Sequence, residues 1–219
     1  FREELSRIQE VAGRAQGRLS LDSRQSPMKV EVDAAHLRLD GRYDRLPFPL
    51  QLLKGGLRYD GESITAAGLS GRMGATTFED LGGRIHLSTG FPWSATVDRA
   101  VLDAPAWHTW LSSWPGLRAP LGRFQLAQGR IALDSLAVDG ALLNPAGWQF
   151  AAQGTLDAIQ LQIPELVAPL RLESAHFRAA QGLWALEKAQ VRYLDAQLAG
   201  EGSLESPQWR AGAWQARVR

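Results

Sequence analysis

An all-β fold, a mostly antiparallel meander with two short helices, is predicted by three features of the sequence. Apolar and polar residues alternate through most of the chain, as in Ile159-Gln-Leu-Gln-Ile163, and a period of two is typical of strands with one apolar face. Asp-Gly pairs, which favour tight hairpin turns, stand at residues 40–41, 60–61 and 139–140. Glycine-led stretches such as Gly129-Arg-Ile-Ala-Leu recur at irregular intervals. We therefore expect a meander rather than a repeat of fixed period.

The first predicted helix covers residues 1–17. Leu5, Ile8 and Val11 are three residues apart with charged residues between them, and Gly17 follows. This spacing is typical of a short amphipathic helix that ends at a glycine. The β-meander is then expected over residues 18–219.

The second predicted helix interrupts the meander near residues 104–114. Trp107, Trp110 and Trp114 are spaced at helical intervals after Pro105, and Pro115-Gly116 follows. A proline suits the first turn of a helix, so we expect a short helix whose tryptophans plug the end of the sheet.

Composition narrows the classes of function. Lys and Arg number 24 against 23 Asp and Glu, and the chain has no Cys. A nearly neutral, interleaved surface does not favour nucleic-acid binding, and thiol catalysis and thiolate metal sites are excluded. The longest apolar runs are only a few residues, too short for a signal peptide or a membrane-spanning helix. The chain begins at Phe1, and we expect it to be a piece of a larger protein.

No catalytic constellation is found in the sequence. His36, His86 and His176 fall on the polar phase of their strands, where solvent exposure is expected, and His108 has no carboxylate at ligand spacing. Only three lysines occur, and none follows a phosphate-binding glycine loop. We expect no enzyme activity, no metal site and no cofactor.

The apolar phase of the predicted strands is the candidate binding surface. A one-layer sheet must cover such a face with a second layer or with an apolar ligand. Its members are Val30, Val32, Leu37, Leu39, Leu57, Tyr59, Ile85, Leu87, Phe124, Leu126, Ile131, Leu133, Trp148, Phe150, Ile159, Leu161, Ile163, Leu170, Leu172, Trp184, Leu186, Val191 and Tyr193. The same residues suit an apolar groove in an elongated, curled sheet or the core of a closed β-sandwich or barrel.

The pattern of strands, turns and helix in the sequence resembles that of the AsmA-like family of bacterial envelope proteins. The resemblance rests on glycine-led amphipathic strands, on Asp-Gly pairs, and on Leu81-Gly-Gly-Arg-Ile-His-Leu followed by Pro92-Trp-Ser-Ala-Thr-Val-Asp-Arg-Ala-Val-Leu-Asp-Ala and a helix. It covers most of the chain from Arg18 onward.

The resemblance implies a non-enzymatic function in lipid transport. The family's β-groove shields the acyl chains of phospholipid or another acyl lipid and conducts them between inner and outer membrane, which supports outer-membrane lipid homeostasis. It also implies a periplasmic location, with a tether to the inner membrane outside residues 1–219. The alternative is a structural, adhesive or carbohydrate-binding β-domain of a bacterial surface protein, because eight tryptophans could stack on sugars.

Overall fold

A computed structural model describes residues 6–24, 29–180 and 183–205. These residues form one 12-stranded sheet and two short helices. The strands are β1 Ile8–Asp22, β2 Lys29–Tyr43, β3 Leu50–Tyr59, β4 Ser63–Met73, β5 Thr76–His86, β6 Pro92–Val97, β7 Arg99–Asp103, β8 Gln125–Ala141, β9 Gln149–Gln162, β10 Leu170–Ala180, β11 Leu183–Tyr193 and β12 Ala196–Glu205. The helices are α1 Ala104–Ser112 and α2 Pro115–Leu121, and a 3₁₀ turn covers Pro145–Gly147.

The strand order confirms the predicted antiparallel meander. Each strand pairs with the strand before and after it, except that β6 and β7 share one position between β5 and β8. Among the described residues the path runs from β1 to β12 without closing. The sheet is therefore an open, curled sheet with two edges, rather than the closed barrel that the sequence left as an alternative.

The helix predicted for residues 1–17 is wrong from Ile8 onward, and residues 1–5 lie outside the described part. Residues 8–22 form β1, which pairs antiparallel with β2. Glu10 has a φ of 52° and lies at a shift of the β1–β2 register. This β-bulge inserts one extra residue between Ile8 and Val11. Their three-residue spacing therefore comes from a bulged strand, although it imitates the spacing of a helix.

The helix predicted near residues 104–114 is confirmed as α1, with Pro105 in its first turn. A second helix then begins at the position where the sequence predicted only the end of the first helix. Trp114 has extended backbone, and Pro115 occupies the first turn of α2, a position that lacks an intrahelical partner for the backbone N–H in any case. The proline therefore ends one helix and starts the next.

Bulges near the middle of the strands bend the sheet. Non-glycine residues with positive φ lie at register shifts in several strands: Glu10, His36, Asp80, Ala158 and Lys188. Each bulge places two consecutive residues on the same face of the sheet. In β5 the two residues between Phe78 and Leu81 share one face, so Phe78 and Leu81 share the opposite face. Because a bulged strand bends, these sites let long strands curl while their apolar side chains stay on one face.

Two glycines face such bulges on the neighbouring strand. Gly55 in β3 has a φ of 120° and lies against the Gly68–Leu69 bulge, while Gly129 in β8 has a φ of 126° and lies against Ala158–Ile159. These φ values are almost restricted to glycine. At these two positions the glycine therefore marks a bulge contact inside a strand, whereas the sequence predicted the start of a strand.

Of the three Asp-Gly pairs, only Asp60-Gly61 forms the predicted turn, which connects β3 to β4. The pairs at 40–41 and 139–140 lie inside β2 and β8. The Asp60 carboxylate accepts hydrogen bonds from the backbone N–H groups of Glu62 (3.0 Å) and Ser63 (2.7 Å) and from the Ser63 hydroxyl (2.8 Å). Arg84 Nη2 lies 3.3 Å from the same carboxylate. The hydroxyl of Ser63, then the two backbone N–H groups, lower the pKa of Asp60 to about 2.

We expect this turn to contribute stability that disappears in acid. A carboxyl group whose pKa is lower in the folded than in the unfolded chain stabilises the fold above its unfolded pKa of about 3.9, and the contribution is lost as pH falls toward 2. Asp60→Asn should therefore melt at a lower temperature than wild type at pH 6, and the difference should shrink between pH 4 and pH 2. Thermal unfolding followed by circular dichroism measures this, and a difference that stays constant over that range would contradict it.

Candidate functional site

One face of the curled sheet is apolar, and we call it the inner face. Cross-strand partners extend it from strand to strand: Leu39 lies opposite Leu52, and Phe78 opposite Ala100. A continuous row of partners crosses the sheet from β2 to β11: Leu39, Leu52, Gly71, Phe78, Ala100, Leu133, Gly154, Phe177 and Leu186. The inner face is therefore one surface.

The predicted lining residues within strands all lie on the inner face, because their registers and the hydrophobic clusters place them there. Leu87, Phe124, Trp148 and Ile163 lie just outside strand ends. Four of the predicted residues are fully buried, Leu37, Leu133, Ile159 and Leu172, and the others are half-buried. The predicted residues lie on one face in the structure because each bulge returns the apolar side chains to that face after a break in the alternation.

Sequence reasoning missed much of the deepest part of the inner face. The missed buried strand residues are Leu52, Leu69, Met73, Phe78, Val97, Ala100, Ala175, Phe177, Ala179 and Ala189. Many flank a bulge or lie among small residues, where the alternation is interrupted. Apolar residues three positions apart, such as Leu172 and Ala175, mark these sites and could have identified them.

Burial on the inner face falls from the middle of the sheet to its edges. Leu133 in β8 is 6% exposed, whereas Leu19 and Leu21 in edge strand β1 are 62% and 59% exposed. Their partners, Val32 and Val30, are inner-face residues. At the other edge Leu198 lies opposite Val191 and is 55% exposed. The apolar surface is thus filled by its own side chains in the middle and open to water at both edges.

The two helices close one end of the strands, which we call the helix end. Trp107 Nε1 donates to Thr76 Oγ1 (2.8 Å) at the start of β5, and Trp110 Nε1 donates to the carbonyl oxygen of Arg45 (2.7 Å) between β2 and β3. Thr76 is buried and lies opposite Met73, a residue of the inner face. The predicted tryptophan cluster therefore packs on the inner face at one end of the sheet, and the indole N–H groups of Trp107 and Trp110 are used within the chain.

Aromatic residues also border the inner face at the opposite end, which we call the far end. Trp93 and Trp148 pack edge to face with ring centroids 5.0 Å apart, and Phe150 and Trp184 do so at 5.6 Å. Trp148 Nε1 donates to the carbonyl oxygen of Ala141 (2.8 Å). Aromatic rings with one polar atom suit a boundary between an apolar surface and water. The middle of the inner face is thus bordered by aromatic groups at both ends.

The opposite face of the sheet is polar. Arg99 pairs with Glu79 at 2.9 Å and Arg192 with Glu173 at 2.7 Å, and all four side chains are solvent-accessible. His36, His86 and His176 are exposed, as the sequence predicted, and His108 Nε2 lies 3.1 Å from the carbonyl oxygen of Leu121. A depression of about 410 Å³ on this face is bordered by small residues, among them Thr96, Ala137 and Ala151.

In the described ranges no group of three or more metal-ligating side chains is found. No helix within those ranges has the length and apolar character to cross a bilayer. Comparisons with protein-family models, with curated proteins and with solved structures find no match to this chain.

Proposed function

We propose that the inner face binds and shields the acyl chains of phospholipid, in a non-enzymatic protein of the bacterial envelope that conducts lipid between inner and outer membrane across the periplasm. The observation that carries the proposal is the continuity of the apolar inner face across the sheet, together with its exposure at both edges. The AsmA-like texture of the sequence supports the same function.

An acyl chain removes the most apolar surface from water when it binds at the two edges of the inner face. Leu19, Leu21 and Leu198 leave more than half of their surface in water, and each methylene group that leaves water contributes roughly 0.8 kcal/mol. An acyl chain that covers these side chains therefore removes apolar surface of both partners from water. The buried middle supplies a rigid wall, because its side chains already pack on one another.

The alternative is a structural or adhesive β-domain, and the deep burial of Leu133 and Phe177, each 6% exposed, favours it. Those side chains form a self-packed core without a ligand. Carbohydrate binding has less support. Every tryptophan whose side chain the structure describes is at least half-buried, and Trp107, Trp110 and Trp148 donate to the chain itself. A sugar platform needs an exposed ring face.

Organic extraction of detergent-free purified protein, followed by mass spectrometry, tests the proposal. We expect about one or more phospholipids per chain, and a lipid-free extract from folded protein would refute acyl-chain binding. The double variant Leu19→Glu/Leu21→Glu provides a second arm, since both residues are exposed and the fold should tolerate the change. This variant should carry much less lipid than wild type.

The matched control is Ser20→Glu, which changes the residue between them in β1. Ser20 lies opposite Glu31 and points to the polar face, because neighbouring residues of a strand alternate between faces. Its lipid content should equal that of wild type. Equal lipid loss in both variants would mean that charge on the edge strand, rather than polarity on the inner face, governs binding.

A further inference from the structure

One polar atom at the far end of the inner face has no partner. Among the described residues Trp93 Nε1 is buried and makes no hydrogen bond. The corresponding atoms of Trp107, Trp110 and Trp148 donate to Thr76, to the Arg45 carbonyl and to the Ala141 carbonyl. A buried N–H without an acceptor is costly, because it gives up its hydrogen bonds to water. A donor kept at this cost on a candidate binding face calls for an explanation.

The position of Trp93 points to a ligand. It is the second residue of β6 and lies opposite Ile85 and Gly140, so its side chain is on the inner face. Trp148 packs beside it at 69° between ring planes, and a π face is a much weaker acceptor than a carbonyl oxygen. The Trp93 side chain is half-buried, so part of it is open to solvent, and ligand binding would require the ring to rotate until the N–H faces the ligand.

We infer that the indole N–H of Trp93 donates to the ester carbonyl oxygen of a bound acyl lipid, an inference that rests on the proposed function. An ester carbonyl is the first strong acceptor next to an acyl chain, and it lies between the chain and the head group. Bonding at Trp93 places the ester and head group at the far end of the sheet. The acyl chain then extends along the half-buried residues of the far end toward Leu19 and Leu21 at the β1 edge, since the middle of the inner face is filled by its own side chains.

A pair of ligands that differ mainly in the carbonyl tests this assignment. 1-Palmitoyl lysophosphatidylcholine has an ester carbonyl, whereas 1-O-hexadecyl lysophosphatidylcholine has an ether in its place, with the same glycerol hydroxyl, head group and chain length. Titrations are done below the critical micelle concentrations of both. We expect wild type to bind the ester about fivefold more tightly, the value of one net hydrogen bond. Trp93→Phe should lose this preference, and the control Trp114→Phe, at the helix end, should keep it.

A spectroscopic measurement on the unchanged protein accompanies the titrations. The indole N–H resonance of Trp93 is the one missing from the spectrum of Trp93→Phe or, should that variant not fold, of Trp93→Tyr. It should move downfield with the ester ligand and much less with the ether ligand. Equal affinity of wild type for the two ligands, or an unmoved resonance, overturns the role of Trp93 alone. Failure of both ligands to bind overturns the proposed function instead.

Discussion

Replacing Leu133 by Asp is expected to lower the free energy of unfolding by about 3–5 kcal/mol, because a carboxylate would be buried without a partner. Leu133 is 6% exposed and lies opposite Ala100 and Gly154, neither of which can hydrogen-bond an acid through its side chain. Domains of this kind have a total stability of about 5–15 kcal/mol, so the variant should lose much of it. Urea unfolding followed by circular dichroism measures the change.

The control for this variant is Ala137→Asp in the same strand. Ala137 is exposed and lies opposite Thr96 and Ala151 on the polar face, and surface substitutions of this kind usually change stability by less than about 0.5 kcal/mol. Similar losses in the two variants would mean that the inner face is not the core of the fold. A small loss in Leu133→Asp would mean that water reaches the middle of the groove.

Replacing Gly129 by Ala is expected to cost about 2–4 kcal/mol. The φ of 126° is strained for any residue with a side chain, and a Cβ atom there would lie 2.7 Å from the Cα of Ile159. The clash is with backbone, so it can be relieved only by separating β8 from the bulge in β9. The same measurement of unfolding applies.

Gly202→Ala is the matched control for the glycine variant. Gly202 also lies in a strand, β12, opposite Leu186, and an added Cβ would meet no atom within 4 Å. Its backbone has no positive φ, so the change should be neutral or should stabilise the fold by up to about 1 kcal/mol through the unfolded chain. A neutral Gly129→Ala would contradict the role assigned to the bulge contact.

The alternation of apolar and polar residues was sufficient to predict the fold class and many of the residues of the inner face. Val30 and Val32, or Leu170 and Leu172, lie on the same side of any strand that contains them, because successive side chains of a strand point to opposite faces. This is a local property. The turn at Asp60-Gly61 and the helix after Pro105 were predictable for the same reason, since each depends on a few consecutive residues.

One physical cause explains three of the errors, which is that a bulge is stabilised by the neighbouring strand rather than by its own sequence. The spacing of Ile8 and Val11 led to the prediction of a helix, because the extra residue at Glu10 is accommodated only by pairing with β2. Gly129 was predicted to start a strand because its contact with Ile159, thirty positions further along the chain, cannot be seen in the sequence around Gly129. Phe78 and Phe177 were missed because bulges and small residues interrupt the pattern around them.

The sequence by itself determined which side chains share a face. Only the tertiary structure decided which parts of that face are buried and which are open to water. Alternation is identical in an open groove and in a closed core, since it constrains the direction of each side chain and not the curvature of the sheet. Curvature comes from bulges on adjacent strands, and it buries Leu133 while leaving Leu19 and Leu198 in water. The unpartnered N–H of Trp93 likewise depends on the packing of residues from separate strands, and no single segment encodes it.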